Sequence, residues 1–461
     1  MRRISNLILL LVCATHVPIV AHLQSFYAFQ KDDTLLRRNY YEQTVKKKQM
    51  ALASVGKEHA KDYKNLYEEQ FKEIGSLWQS SRPVTATEAH GYIQSIVNKI
   101  IASNPELKGT DARVVFSRDW WPNAVSMGDG TIVINAGLFV YMNNEAELAF
   151  TISHELAHYY LEHTPKKIKN YIELINSDSY QAELKRIKKT TYGAGKELEN
   201  FAKSAVFGSH RHSREFEAAA DKQGLSFLKN TGYDCNAART TLELLDKIDD
   251  SLLYEPLDLG KVLNFSSYPF KKKWIQKESV IFAEVESSSS FTDREKDSLK
   301  THPDCSKRIA LLADEINAAG AGKQQFVVSE KLFQQLKKDL YIEMSEECLR
   351  QKDLSRGLYF HLLMLQSGEN TECAVYAISR GLNLLYEKQK DHKLGQAIDK
   401  ENKMYTADYN LLLRLLDRIR LEEIANLNYA LCNTYAEKMK GDAKFNEEMT
   451  KAKRIKESST F

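Results

Sequence analysis

A chain of 461 residues with 43% hydrophobic content is long enough to bury two cores and too apolar to be a disordered protein. Its 65 basic and 62 acidic residues, a formal net charge of +3, are spread along the chain and form no stripe for a polyanion, so nucleic acid is not expected as a partner. Only 8 prolines and 20 glycines, with abundant Leu, Glu, Lys, Ala and Gln, point to a mostly helical protein.

The N-terminus reads as an export signal. Arg2 and Arg3 precede an apolar run from Leu7 to Val12, and Ile19-Val20-Ala21 supplies the small or branched residues of a cleavage site, so 1–24 is expected to be a signal peptide. His16 and Pro18 stop the run well short of the roughly 20 residues that span a bilayer. Leu10-Leu11-Val12-Cys13 resembles a lipoprotein box with a bulky valine where a small residue is expected, which leaves lipid anchoring through Cys13 as an alternative. The other cysteines (Cys235, Cys305, Cys348, Cys373 and Cys432) fit no zinc-knuckle spacing, and their odd count leaves at least one outside any disulfide.

Tyr40 to Trp78 reads as a charged amphipathic helix that Pro83 breaks, within an N-terminal helical segment of 25–85; a second helix is expected over Ala86 to Ile101. The period then shortens. Ala112 to Phe116 reads as a strand, and Ala124 to Met127 and Thr131 to Asn135 flank Gly128-Asp129-Gly130 as a hairpin. Glu145 to Glu162 returns to helix, Lys166 to Lys203 is a lysine-rich, mainly helical insertion, and another helix runs from about Ser213 to Lys229. Ser287 to Ser290 form a small loop, and the Ala318 to Gly322 stretch reads as a linker that separates a domain of 25–317 from a helical one of 323–461. In the latter, Leu354 to Leu365, Cys373 to Tyr386, Tyr409 to Leu416 and Glu422 to Tyr435 read as successive amphipathic helices, either stacked tetratricopeptide-like pairs or a bundle.

The chemistry concentrates in Thr151-Ile152-Ser153-His154-Glu155-Leu156-Ala157-His158, an H-E-x-x-H pattern on a helix. Residues four apart share a face, so both imidazoles can reach one metal while Glu155 can touch a water bound to it. Zinc suits such ligands and takes three of them in catalytic sites. Arg214-Glu215-Phe216-Glu217-Ala218-Ala219-Ala220-Asp221 offers the third: Glu217 and Asp221 share a helix face, the first to bind metal and the second to hold a ligand imidazole, while the alanines allow close packing on the first helix. Glu215 is the competing ligand but points away from that face. A metzincin pattern fails, because Leu161 and Thr164 stand where its glycine and third histidine belong. His163 then reads as structural, and His210 and His212 as solvated or supporting residues.

The hairpin, the H-E-x-x-H helix and the R-x-x-E-x-x-x-D helix, taken together over Tyr92 to Leu312, resemble the zinc metallopeptidase family of HtpX, the CAAX prenyl protease and the periplasmic proteases BepA and LoiP. Thr301-His302-Pro303 followed by Arg308-Ile309 resembles the H-P-x-x-x-x-R-I segment of the soluble, BepA-like branch. The resemblance implies an α+β fold, a mostly helical zincin-type domain with a small β-sheet, followed here by the helical C-terminal domain. It implies one Zn²⁺ per subunit on His154, His158 and Glu217, with Glu155 as general base. Asp221, Arg214 and His302 fall in supporting or regulatory positions, and Asn123-Ala124 begins the edge strand that would hold a peptide. His302 could be a helix-starting turn, a plug on the metal or an oxyanion donor. The resemblance further implies a periplasmic endopeptidase that acts on unfolded or misassembled envelope proteins, with envelope partners bound through the C-terminal helices. The competing expectation is a helical scaffold or chaperone whose peptidase is secondary or latent. Asp119-Trp120-Trp121 reads either as core or as a substrate-contacting rim.

Overall fold

The computed structural model describes residues 32–189, 214–249, 256–276, 305–319, 323–402 and 405–459. The expected signal peptide 1–24, Cys13, His210, His212, Ser287 to Ser290 and His302 lie outside the described residues.

The expected long N-terminal helix is in fact two, α1 (Thr34–Ala53) and α2 (Ala60–Gln79). Between them the chain turns back through Gly56 and through His59, whose φ of 50° is left-handed. The pair runs antiparallel, with Tyr41 against Gly75 and Lys48 paired to Glu68. The physical reason for the break is burial: folded back, α2 lays Phe71, Ile74, Leu77 and Trp78 on Val115 and Val133 of the sheet. Helix α3 (Thr87–Ser103) buries Ala89, Ile93, Ile96, Val97 and Ile100, an i, i+3/i+4 stripe turned to the core.

The sheet contains β1 (Pro83–Val84), β2 (Arg113–Ser117), β3 (Ala124–Ser126) and β4 (Thr131–Asn135) in the order β1-β2-β4-β3. The expected hairpin is β3–β4, antiparallel with Val125 opposite Val133. Less expected is that β4 also pairs in parallel with β2, which leaves β3 on the edge. Pro83, expected only to break a helix, opens the other edge strand, where a missing N–H costs least. Strand alternation divides the faces: Val114, Phe116, Ile132 and Ile134 belong to the main core, Val115 and Val133 to the α2 side.

The hairpin turn is held from three directions. Asp129 receives the Arg113 guanidinium and the Thr44 hydroxyl, Lys47 donates to the Asp129 carbonyl at 2.6 Å, and Gln70 donates to that of Met127 at 2.7 Å. Gly130, at φ +90°, lies where a Cβ would meet the Asp111 carbonyl oxygen at 2.2 Å. A side chain there would displace the turn.

After the short α4 (Ala136–Phe139), helix α5 (Glu145–Tyr160) is capped by the Asn144 side chain, which accepts from the Glu147 N–H at 3.1 Å. Every residue from Glu145 to His158 is buried. Glu162, at φ 55°, turns the chain into α6 (His163–Asn176), and α7 (Asp178–Lys188) follows. Helix α8, described over 214–229, and α9 (Ala237–Asp249) both pack along α5, and the helix Cys305–Ala318 packs on α9.

Beyond the linker stand helices Glu330–Arg350, Leu354–Ser367, Thr371–Lys390, Ala407–Arg418, Leu421–Met439 and Ala443–Ser458. The first and last of these were not legible in the sequence. The buried apolar core continues across the linker, with Phe333 edge-on to Phe139 at 5.1 Å. Buried Glu145 ties the two sides together by accepting from the Tyr92 and Tyr233 hydroxyls and from the N–H groups of Val327, Val328 and Ser329. Burial would raise its carboxyl, but the N–H groups of Ser329, Val328 and Val327 and the Tyr233 hydroxyl outweigh it and hold the group below the ordinary range. Cys235, Cys305, Cys348, Cys373 and Cys432 are all buried free thiols. No described helix is long and apolar enough to cross a membrane.

Candidate metal centre

Helix periodicity puts His154 and His158 on one face of α5, and the fold brings Glu217 of α8 over them. The two Nε2 atoms lie 3.0 Å apart, and Glu217 places Oε2 at 3.4 Å from His154 Nε2 and Oε1 at 3.4 Å from His158 Nε2. One ligand atom from each residue falls within 4.8 Å of the other two. Glu215, the competing ligand, is exposed and outside this group. Arg214 is half-buried and does not line the cleft.

Gly224, which the sequence did not single out, marks a close approach of α8 to α5, and Ala220 of the alanine run is fully buried. A Cβ on Gly224 would meet the Cα and the backbone nitrogen of His154, each at 2.9 Å. An interior helical glycine costs about 1 kcal/mol against alanine, so its presence signals such a contact.

Both imidazoles are oriented from behind. Asp221 Oδ1 lies 2.9 Å from His154 Nδ1, and Arg308 grips the same carboxylate with Nε at 2.6 Å and Nη2 at 2.7 Å. Arg308 Nη2 also reaches 3.5 Å from Glu217 Oε2. Burial would drive the Asp221 carboxyl up, but the guanidinium outweighs it and holds the group below the usual carboxylate range. For His154, burial alone would lower the pKa, yet Asp221 and Glu217 outweigh it and raise the value to about 10 in the metal-free protein. Glu217 is correspondingly held well below its ordinary value by His154 and His158, against its own burial.

His163, read from the sequence as structural, sits against a candidate ligand. Continued as one helix, its ring would point half a turn away from the metal face, but the left-handed Glu162 swings it back until its Nδ1 lies 2.9 Å from His158 Nδ1. The His163 ring stacks on Phe216 at 4.5 Å, next to Glu217. Burial, then the positive charges of His158, Lys167 and Lys166, push its pKa down to about 4, so it is neutral. The His158 Nδ1 thus faces a neutral His163, with the His158 Nε2 turned to His154 and Glu217 on the other side.

The donor set fits zinc. Two imidazole Nε2 atoms and a carboxylate converge from two rigid helices while both Nδ1 atoms face partners of their own, the three-ligand arrangement of catalytic zinc. Glu155 lines the same cleft, and among the described residues its carboxylate makes no hydrogen bond or ion pair. Asn123 and Ala124 also line it, with the rest of β3. Main-chain bonds run from Asn135 N–H to the Asn123 carbonyl at 3.0 Å and from Met127 N–H to that of Thr131 at 2.9 Å. By alternation the main-chain groups of Ala124 and Ser126 face outward, into the cleft. Of the aromatic pair before this strand, Trp120 packs against Phe360 and under the Arg356 guanidinium, while Trp121 is exposed.

Residues 87–316 match the family model of peptidase family M48. The chain carries a peptidase family M48 domain. It encloses the metal-centre residues, Arg308 included, whereas α1, α2 and the C-terminal helices lie outside it. A mitochondrial metalloendopeptidase OMA1 of Arabidopsis thaliana is 27% identical over 228 residues, covering 49% of this chain and 40% of that protein. The mitochondrial metalloendopeptidase OMA1 of Schizosaccharomyces pombe is 28% identical over 216 residues, 46% of this chain and 57% of its own length. A putative beta-barrel assembly-enhancing protease of Vibrio cholerae is 24% identical over 159 residues, 32% of this chain and 30% of its own length. The chain thus spans about a third to just over half the length of these relatives.

Proposed function

We propose that the M48 domain is a zinc-dependent endopeptidase that cuts extended segments of unfolded or misassembled proteins of the cell envelope. The observation that carries the reading is the convergence of His154, His158 and Glu217 beside Glu155 and a strand edge whose main-chain groups face the same cleft. Such an edge binds any extended backbone, and a folded protein offers few of those. The relatives named as beta-barrel assembly-enhancing proteases support an envelope role. The basic and apolar stretches at the N-terminus support export to the periplasm, with lipid anchoring at Cys13 as its variant, and the C-terminal helices are the natural surface for envelope partners.

His154, His158 and Glu217 would hold the metal, one ion per chain. Zinc bound there supplies Lewis-acid polarisation of the scissile carbonyl and acidity to an attacking water. The rest falls to the chain. Ala124 and Ser126 fix the peptide by main-chain hydrogen bonds, so that a carbonyl is presented at the metal face. Glu155 takes the water's proton and returns it to the leaving amine. Asp221 and His163 keep the ligand imidazoles in the required tautomers, and Arg308 keeps Asp221 ionised.

The test is digestion of an unfolded protein substrate by the full chain with zinc, with chelator, and as Glu155→Gln. Zinc-restored cleavage is expected, with Glu155→Gln retaining its metal and losing about 10²-fold or more in kcat. Undiminished turnover by metal-replete Glu155→Gln would remove the general base and the mechanism with it.

A further inference from the structure

The cleft has two chemically different ends. Near Asn123, where β3 begins, it is lined by Leu138 and by Phe150, which stands one turn before His154 on α5, on the side away from Thr164. Leu138 lies three residues past the end of β4, whose Asn135 bonds Asn123. At the Ser126 end, where the hairpin turns, Thr164 and Lys167 of α6 line the cleft. Thr164 comes so near the turn that a Cβ on Gly128 would meet it at 2.7 Å, and Lys167 stands one helical turn further on, with its ammonium 6.0 Å from the Phe216 ring centre. The candidate metal ligands lie between the two ends.

The charges lining the cleft are unequally disposed. Glu217 faces the imidazoles, Glu155 lines the cleft beside them, and buried Arg308 grips Asp221 and reaches Glu217. Lys167 is exposed and is the one lysine in the described lining, so its charge faces whatever occupies the hairpin end. A peptide paired antiparallel to β3 enters at Ser126 and leaves at Asn123. Its residues on the amino side of the scissile bond then pass Lys167, and those on the carboxy side pass Leu138 and Phe150.

We propose that Lys167 is a specificity determinant: it selects substrates with an acidic side chain on the amino side of the scissile bond, while the apolar end at Leu138 and Phe150 takes an apolar side chain on the carboxy side. This rests on the endopeptidase reading and names the substrate class of that site. An exposed charge pair supports a preference of about five-fold for Glu over Lys, weakened by added salt.

The experiment uses the full chain and fluorescent peptides with leucine after the scissile bond and Glu, Gln or Lys placed in turn at the three positions before it. The ratio of kcat/KM for Glu against Lys is read for wild type and for Lys167→Glu, with zinc content and melting temperature as checks on folding. The same ratio is read as Kd on the Glu155→Gln protein, which needs no turnover. The expected result is about five-fold for Glu in wild type, inverted by Lys167→Glu, in both kinetics and binding. No hydrolysis of any peptide, with charge discrimination intact in binding, refutes the endopeptidase reading alone. Equal binding of the Glu and Lys peptides, or a preference that Lys167→Glu does not change, overturns the proposal.

Discussion

Replacing Gly224 by alanine tests the packing on which the metal centre depends. In an ordinary helix interior the change stabilises by up to about 1 kcal/mol, because alanine has less backbone entropy to lose. At Gly224 the new methyl would lie 2.9 Å from both the Cα and the nitrogen of His154 and 3.2 Å from the Ser153 carbonyl carbon. These are main-chain atoms of a buried helix that cannot rotate aside, so α5 and α8 must separate. Overpacking of this kind costs about 1–3 kcal/mol, which turns the propensity gain into a net loss of up to about 2 kcal/mol. Separation also lengthens the 2.9 Å contact of Asp221 with His154 and the 3.4 Å approach of Glu217, so zinc affinity should fall about tenfold. Gly91→Ala is the control: that glycine is exposed within α3, and nothing lies within 4 Å of its Cβ position, so the substitution should stabilise. Urea denaturation of both variants in chelator, followed by zinc titration, measures the two effects. If Gly224→Ala stabilises as Gly91→Ala does and binds zinc as wild type does, the close approach is not what positions the ligands.

Glu217→Ala should strip the metal whereas Glu215→Ala should leave it, and Asp221→Ala should weaken zinc about 10- to 100-fold with all three ligands kept; metal analysis that finds Glu215→Ala empty would reassign the third ligand. Because His154 holds its proton up to about pH 10 in the metal-free protein, zinc binding at pH 8 should release about one proton, and affinity should fall on acidification. The same raised pKa stabilises the metal-free fold below the ordinary imidazole value, and that contribution is lost as pH rises through about 10. Calorimetric titrations in buffers of different ionisation enthalpy count the proton; an affinity flat between pH 7 and 9 would contradict the coupling.

The sequence by itself determined what lies within one element or one turn. His154 and His158 share a helix face, with Glu155 turned to one side of it, because 3.6 residues make a turn, and Gly128-Asp129-Gly130 between alternating apolar residues reads as a hairpin. Glu217 and Asp221 were legible on the same local grounds. Tertiary structure alone decided the rest, since the partners are remote in the chain. Arg308 meets Asp221 across 87 positions, and β4 pairs with β2 as well as with its hairpin partner. One left-handed residue, Glu162, decided what His163, read only as structural, supports, namely His158, because a single positive φ redirects everything after it and leaves no trace in periodicity. Likewise, nothing in the spacing of α1 and α2 demanded their break; it was set by the apolar face of the sheet that α2 had to cover.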